Sequence, residues 1–383
     1  MWRVPLFDLD FDSREAEAVL AVLRRRWLTM GEETIAFEQE FGNMLGHDTQ
    51  CLAMSSCTAT LHTAIHLLDL KPGDEVIIPA LTFVADANVV IMSGGTPVLA
   101  DCASLNDWNV SAETISKAIT PRTKAVLIVH YAGQPCNMHP IKKLCKEHGL
   151  FLIEDVAHAV GATHHERPCG TFGDMACFSF FSNKNISCGE GGMFVSRDEK
   201  LMQRARLFRS HGMTSLTLDR HKGRVDSYDV LAPGLNYRIT EMSAALGRVQ
   251  LAKLDKNNAL RRRLVDLYTH SLSGMPGMSR PWDETHDQSG DRSSCHIMPI
   301  LLAPHIDRSA VMANMRVLGI QTSIHYPDLQ NFSAFKHMLH GAPVAAEITS
   351  RELTLPLFPS MTDTMVDEVV SALRTQLSQQ ETT

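Results

Sequence analysis

Short apolar runs alternate with segments of helical periodicity through residues 50–200 of the chain. Between the runs, apolar residues recur three and four positions apart, as at Leu61, Ala64, Ile65 and Leu68, and this spacing predicts helices. The runs themselves predict strands that are buried on both faces, at 75–78, 96–99, 125–129 and 151–153. Buried strands that alternate with helices predict a mainly parallel sheet covered by helices. Two further runs, 175–180 and 192–196, follow each other without a full helix between them, so this sheet need not be parallel throughout.

The pattern changes after residue 212 and predicts a second, smaller α/β unit. Residues 212–235 are rich in Gly, Asp, Arg and Ser, which predicts a long irregular connection. A long amphipathic helix is predicted from near Thr240 towards Leu272, and Asp307 is a candidate N-cap. The further predicted elements are a loop at 281–294, a strand at 295–302, a helix at 309–318, a strand at 320–326 and a closing helix with apolar positions 365, 366, 369, 370 and 373. We therefore predict a large domain of residues 1–240, including an N-terminal segment 1–30, and residues 241–383 as the linking helix with a small C-terminal α/β domain.

Composition narrows the class of protein. The 383 residues are 44% hydrophobic and 21% charged with a formal net charge of −7, and basic residues occur only in short runs, which argues against a nucleic-acid partner. No apolar stretch reaches the roughly 18 residues of a membrane span, and no signal-peptide pattern opens the chain. Nine scattered cysteines without a Cys-x-x-Cys pair are typical of reduced thiols, which predicts a cytoplasmic protein. The densest histidine cluster, His164 and His165 beside Glu166, predicts a surface turn, and we expect no metal site.

Three local features suit an organic phosphate cofactor. Residues 55–60 place small hydroxyl side chains at a predicted helix N-terminus, which suits a phosphate but equally a simple N-cap. Asp155 follows a predicted parallel strand, where such sheets bind ligands, although acidic strand ends are common. Lys184 follows another apolar strand; a desolvated lysine can form a Schiff base, whereas most lysines lie on the surface. The glycine-rich run 189–192 matches neither the dinucleotide-binding nor the P-loop pattern, and no Gly-x-Ser-x-Gly hydrolase motif occurs.

A series of short motifs in a fixed order carries a family resemblance. The motifs lie at 56–62, 71–77, 119–125, 133–136, 153–161, 178–180, 184–185, 189–192, 210–212, 236–238 and 325–327. Together they resemble the DegT/StrS family of pyridoxal-phosphate-dependent sugar aminotransferases, over residues 5–375 or so. The resemblance implies an α/β chain with the fold-type I architecture of aspartate aminotransferase, in which a large mainly parallel mixed sheet is followed by a smaller C-terminal domain.

The resemblance also implies roles around the ring of pyridoxal 5′-phosphate. Lys184 matches the lysine that forms the internal aldimine with the cofactor, and Asp155 matches the carboxylate that pairs with its pyridine nitrogen. His158 matches a position near the ring hydroxyl, and Phe83 matches an aromatic residue that stacks on the ring. Lys184, Asp155 and His158 are therefore the expected catalytic residues.

The resemblance places the cofactor phosphate at a subunit interface. Cys57, Thr58 and Ser179 match the residues that bind the phosphate. Asn236 matches a residue that reaches the phosphate from the neighbouring subunit. A homodimer with its active site at the interface is thus implied.

The implied reaction moves an amino group from an amino acid, L-glutamate by resemblance, to a keto group of a nucleotide-linked deoxy sugar through pyridoxamine phosphate. The lysine at 184 favours amine transfer over the family's dehydratase branch, which has histidine there. Departures from the family pattern at Cys57, 102–103 and 182–183 leave the substrate open. A keto-cyclitol or another non-nucleotide sugar is an alternative acceptor, and a non-catalytic regulatory relative is a second alternative.

Overall fold

The computed structural model describes residues 2–46, 48–215, 223, 227–282 and 290–381. The strands, numbered along the chain, are β1 (Gln50–Met54), β2 (Glu75–Pro79), β3 (Thr96–Ala100), β4 (Thr123–Val129), β5 (Phe151–Asp155), β6 (Thr163–His164), β7 (Arg167–Pro168), β8 (Met175–Ser179), β9 (Gly192–Ser196), β10 (Met278–Ser279), β11 (Met298–Leu302) and β12 (Glu352–Leu355). The helices are α1 (Ser13–Arg25), α2 (Glu32–Leu45), α3 (Cys57–His66), α4 (Ala85–Met92), α5 (Ala112–Ala118), α6 (Met138–His148), α7 (Glu199–Arg209), α8 (Glu241–Leu272), α9 (Arg308–Val317), α10 (Pro343–Arg351) and α11 (Asp363–Glu381), with short 3-10 turns at Tyr131–Gly133 and Leu329–Asn331.

A seven-stranded mixed sheet in the order β1-β9-β8-β5-β4-β2-β3 forms the centre of the molecule. Five neighbouring strands, from β8 to β3, are parallel, whereas β9 is antiparallel to both β8 and β1. Strand β9 runs backwards because a loop without a helix joins it to β8, and antiparallel neighbours need no crossover. The predicted mainly parallel α/β sheet is confirmed, and so is the expectation that the run at 192–196 breaks the parallel order. The loop that joins β8 to β9 carries Lys184.

Both faces of this sheet are buried, which explains the apolar strands in the sequence. Along β2, Val76 and Ile78 join one hydrophobic cluster while Ile77 joins another on the opposite face. Val126 and Leu127 of β4 divide between the same two clusters. Successive side chains of a strand point to opposite faces, so a strand covered on both sides is apolar throughout.

A second, antiparallel sheet in the order β10-β11-β12 belongs to a separate hydrophobic cluster with α9 and α11. The strand predicted at 320–326 was wrong, since this segment makes only single bridges at Ile320 and Ser323. The pairing of this segment with β12 stops because the backbone N–H of His325 donates to the Glu352 side chain instead of a strand carbonyl. The strand predicted at 295–302 begins only at Met298 because Cys295 has a positive φ of 49°.

Helix α8 connects the two clusters. It has 32 residues, about 48 Å at 1.5 Å per residue, and Thr240 caps it by accepting a hydrogen bond from the N–H of Ser243. Leu254 packs in a cluster on the large sheet, whereas Leu264 packs in the cluster of the second sheet. The helix predicted from near Thr240 towards Leu272 and the cap predicted at Asp307 are confirmed. The domain division at 240/241 stays a prediction.

The predicted irregular segments are only partly described. The described residues of 212–235 contain an isolated bridge between Met213 and Val230 but no named helix or strand, and the rest of that segment lies outside the described residues. Residues 283–289 of the loop predicted at 281–294 also lie outside the described residues. Among the described helices, none combines the length and apolarity that crossing a membrane requires.

Candidate active site

A cavity of about 330 Å³ opens at the carboxyl ends of three neighbouring parallel strands. Val129 ends β4, Asp155 ends β5 and Ser179 ends β8, and all three line the cavity. Ligands of open α/β sheets bind at this edge, because the loops that follow the strands meet there. The sheet therefore brings together side chains that lie far apart in the sequence.

One wall of the cavity is the N-terminus of α3. Ser56 caps the helix by accepting a hydrogen bond from the N–H of Ala59 at 3.1 Å, and Cys57 and Thr58 begin its first turn. Gly192 packs against this turn so closely that an added Cβ would lie 2.6 Å from the Ser56 carbonyl carbon. Since Gly192 also pairs with Ser179, the hydroxyl of Ser179 lies beside the helix end. Free backbone N–H groups and hydroxyls at a helix N-terminus suit a phosphate.

Of the two adjacent carboxylates that end β5, Asp155 faces the cavity. Glu154 is held on the other side by backbone N–H groups of Gly170 and Phe172 and by His130. Asp155 accepts the N–H of Ala157 at 2.8 Å, and the Cys57 thiol lies 4.0 Å from the same carboxylate oxygen. Burial raises the pKa of Asp155 to about 6. A buried carboxylate of this kind is stabilised by a cation beside it, which fits a protonated pyridine nitrogen.

Lys184 lies in the loop between β8 and β9, and its amine meets a buried histidine. Lys184 Nζ is 3.3 Å from His296 Nε2, and His296 Nδ1 is 2.9 Å from Asn185 Oδ1. The amide of Asn185 is fixed because its nitrogen donates to Asn258 Oδ1 and to the Ser294 carbonyl. Its oxygen therefore accepts from His296 Nδ1, and this leaves His296 Nε2 as the acceptor for the Lys184 amine. Burial lowers the pKa of Lys184 to about 8, which favours a nucleophilic amine.

His158 is held as a neutral donor at the cavity wall. The N–H of Ala132 donates to its Nδ1 at 3.3 Å, so the ring proton lies on Nε2, which is 2.8 Å from the Tyr326 hydroxyl. Burial and the nearby Lys184 lower the pKa of His158 well below its ordinary value. Because Tyr326 accepts from His158, its own hydroxyl proton is available to a ligand in the cavity.

Seven of the eight predicted site residues line this one cavity, and Asn236 does not. Phe83 is 52% exposed at the cavity and its ring lies 5.5 Å from that of Tyr326. Asn236 is exposed and pairs with Ser210 through a single bridge. Its predicted reach into a neighbouring subunit stays a prediction.

Several residues in or beside the cavity have no role predicted from the sequence. Tyr326 and His325 occur in a motif that was recognised, but only the fold shows that they meet His158 and the cavity. His296 carried no local signal, because it comes from a loop before β11 more than a hundred residues after Lys184. Asp86 is fully buried in α4, and burial together with Asp155 raises its pKa well above the usual range.

The mixed sheet and its cavity, with a helix N-terminus suited to phosphate, a buried carboxylate and a desolvated lysine, fit the class of fold-type I pyridoxal-phosphate enzymes that the ordered motifs resemble. Solved structures agree with this class. TlmJ, an aminotransferase from Streptoalloteichus hindustanus, has a TM-score of 0.90 and 32% identity over 99% of both chains. The putative sugar aminotransferase Spr1654 from Streptococcus pneumoniae, solved in a PLP form, has a TM-score of 0.89 and 25% identity, over 99% of this chain and 98% of that one.

Residues 10–374 match the DegT/DnrJ/EryC1/StrS aminotransferase family, and the chain belongs to that family. The dTDP-4-dehydro-2,3,6-trideoxy-D-glucose 4-aminotransferase of Saccharopolyspora spinosa is 37% identical over 375 residues, which are 96% of each chain. The protein is therefore an aminotransferase for small molecules, and its cofactor is pyridoxal 5′-phosphate. The family, the fold class and the cofactor predicted from the ordered motifs are confirmed.

Proposed function

We propose that this aminotransferase moves an amino group from L-glutamate to a keto group of a nucleotide-linked deoxy sugar. The observation that carries the reaction type is the meeting of Lys184 and Asp155 in one cavity beside the N-terminus of α3. The sugar acceptor is supported by the activities named for the Saccharopolyspora spinosa and Streptococcus pneumoniae proteins.

Four residues would hold the ring of the cofactor. Lys184 would hold it covalently, and Asp155 would pair with its pyridine nitrogen and keep that nitrogen protonated. Phe83 would stack on one ring face, and His158 would orient the ring through its neutral donor pair with Tyr326. Bound pyridoxal phosphate supplies the electron sink that stabilises negative charge at the α-carbon of the amino donor.

The phosphate would be held by groups from two subunits. Cys57 and Thr58 offer the first N–H groups of α3, Thr58 adds its hydroxyl, and Ser179 adds a second hydroxyl. Asn236 of the partner subunit completes the phosphate site in a homodimer. Large apolar side chains exposed at the cavity, Phe83 and Phe181, support a second subunit covering this face.

Lys184 would also move the proton of the reaction. Once its amine is free, it removes the proton from the α-carbon of the amino donor, and in the second half-reaction it returns a proton to the sugar carbon. A lowered pKa lets the amine act as a base near neutral pH, since it loses its proton more readily than an exposed lysine. His296 accepts from the amine and gives it a fixed resting position.

A cytoplasmic location is part of the same proposal. Eight of the nine cysteines are buried and all nine are free, including Cys57 at the cavity. Free thiols in this number are typical of a reducing compartment.

The test begins with the cofactor and then turns to the acceptor. Borohydride reduction of the purified holoenzyme, followed by peptide mapping, is expected to find the cofactor on Lys184 and on no other lysine. The enzyme is then converted to its pyridoxamine-phosphate form with glutamate. This form is offered nucleotide-linked 3-keto and 4-keto sugars, free keto sugars and keto-cyclitols. Return of the cofactor absorbance with a nucleotide sugar supports the proposal. A response only to a keto-cyclitol or to a free keto sugar would refute the nucleotide sugar, and no response to any ketone would favour a non-catalytic relative.

A further inference from the structure

Three histidine rings meet outside the cofactor cavity. His139 comes from the first turn of α6, and His164 and His165 come from the hairpin of β6 and β7. One ring nitrogen of each lies within 4.8 Å of the others, and His164 Nε2 is 3.1 Å from His139 Nδ1. Two of the rings are exposed and His164 is buried. None of the three lines the cavity of the proposed active site.

A carboxylate orients the buried ring of this cluster. Asp291 Oδ1 lies 2.8 Å from His164 Nδ1 and also accepts the backbone N–H of His165 at 3.1 Å. An ionised carboxylate can accept a hydrogen bond but cannot donate one, so His164 carries its proton on Nδ1 and directs the Nε2 lone pair towards His139. Histidines that bind metals are oriented in this way, with the second ring nitrogen donating to a carboxylate.

The hairpin of β6 and β7 brings the rings of two adjacent histidines together, with the centroids of His164 and His165 4.4 Å apart. Its turn residues, His165 and Glu166, have φ values of 46° and 63°. A two-residue turn with both φ values positive normally uses Asn and Gly, because a Cβ is strained there. Strained residues concentrate at functional sites, where the surrounding structure holds them in place. The expected surface turn is therefore present, and it lies beside His139, which is 25 residues away from His164 in the sequence.

We propose that His139, His164 and His165 form a binding site for a divalent transition metal of the Zn²⁺ type, with Asp291 orienting His164. Imidazole nitrogens bind Zn²⁺ at about 2.0–2.1 Å, so tetrahedral ligands lie roughly 3.4 Å apart. The pair of His139 and His164 is already at this spacing. The exposed side chain of His165 has room to close the remaining distance, and a water molecule would take the fourth position. The bound ion would tie α6 to the hairpin and to the segment at 290–292.

Zinc uptake by the holoenzyme tests the site directly. Protein freed of metal by chelator and kept reduced with a phosphine is dialysed against Zn²⁺, and bound metal is measured by mass spectrometry. We expect one ion per chain, no stoichiometric uptake by His164→Ala, and affinity at least about tenfold weaker in His139→Ala and His165→Ala. Asp291→Asn should weaken zinc binding about tenfold, because it removes the orienting acceptor and no ligand. His148→Ala, an exposed histidine at the other end of α6, should bind like the wild type.

Cobalt supplies a readout of geometry. Co²⁺ in a site with three imidazoles and one water should give visible absorption typical of four-coordination, which is lost in His139→Ala. Because His139 and His165 are exposed, their variants should fold even if His164→Ala does not. Absence of stoichiometric zinc in the wild type, or uptake that the His139 and His165 variants leave unchanged, would overturn the site. Neither outcome bears on the proposed aminotransferase reaction.

Discussion

At the scale of single residues, the cavity brings together an acidic and a basic side chain, Asp155 and Lys184. Burial raises the pKa of Asp155 to about 6 and lowers that of Lys184 to about 8, so the same desolvation disfavours both charges. Their mutual attraction works against these shifts, since each charge favours the other. A site of this kind holds its charged forms best when a ligand adds further charges, as a phosphate and a pyridinium do.

Asp155→Asn should change how the stability of the cofactor-free protein depends on pH. The folded carboxyl has a pKa of about 6 against an ordinary 3.8, so between these values the folded state binds more protons than the unfolded state. The free energy of unfolding contributed by this group therefore falls as the pH rises from about 4 to about 6. Denaturant titrations across that range should show this decline in the wild type and a smaller decline in the variant. Equal pH dependence of the two proteins would contradict the assignment.

The variant should also lose activity. An amide cannot form the ion pair with a protonated pyridine nitrogen, so kcat of Asp155→Asn should fall by at least about a hundredfold.

His296→Ala tests whether the hydrogen bond to Lys184 positions the amine. We expect kcat to fall about ten- to a hundredfold while KM for the sugar changes little, because the loss concerns orientation of the amine and not substrate binding. His296→Gln keeps an acceptor near Lys184 Nζ and should recover part of kcat. Equal losses in the two variants, with an unfolding midpoint lowered by the same amount, would mean that His296 acts only through packing.

At the scale of elements, the helix N-terminus and the strand that supports it act together. Strand β9 pairs with β8 and β1 and begins at Gly192, directly under the turn before α3. The direction of β9 follows from the helix-free loop of residues 180–191, which carries Lys184, so this one connection sets both the direction of the strand and the position of the lysine. The sequence indicated this exceptional strand but not its pairing with β1, because the paired residues of β1 and β9 lie more than a hundred positions apart.

Gly192→Ala should weaken cofactor binding. Its Cβ would lie 2.6 Å from the Ser56 backbone, which must shift and carry the first N–H groups of α3 with it. We expect a loss of about 1–3 kcal/mol in the free energy of unfolding and a larger dissociation constant for pyridoxal phosphate. Gly189→Ala is the matched control: its φ of 85° makes the change strained, yet nothing lies within 4 Å of the added Cβ. That variant should lose stability while its cofactor affinity stays close to the wild type.

At the scale of the whole molecule, the sequence predicted the large sheet better than the second one. Apolar strands such as β4 carry their own signal because both faces are buried. The segment at 320–326 also begins with an apolar residue, Ile320, but its pairing ends where the backbone N–H of His325 donates to the Glu352 side chain. The side chains of His325 and Tyr326 line the cavity instead. Seven residues that line the cavity were predicted through ordered motifs, whereas His296 was not, because it meets Lys184 only after the chain folds back on itself.

Mixing two inactive variants tests the proposed shared site of the dimer. Lys184→Ala removes the proposed cofactor anchor, and Asn236→Ala removes the proposed contribution to the partner's phosphate site. In a mixed dimer one site carries both lesions and the other carries neither, so up to about a quarter of wild-type activity should return when the subunits exchange at random. Light scattering should give twice the mass of the chain. If the mixture gains no activity although the subunits exchange, Asn236 acts within its own chain.

Residues 3–6 pair with a segment near residue 320, so during synthesis they cannot reach their final place until that segment has been made. Val4 is fully buried in the second cluster, and the N–H of Leu6 donates to Gln321, 315 residues later. At about 5–20 residues per second a ribosome needs roughly 16–63 s to cover that interval. All seven strands of the large sheet are made by Ser196, so that sheet can form while the opening residues still wait for their partners. A translational pause before residue 321 would prolong the exposure of this apolar segment to chaperones and proteases.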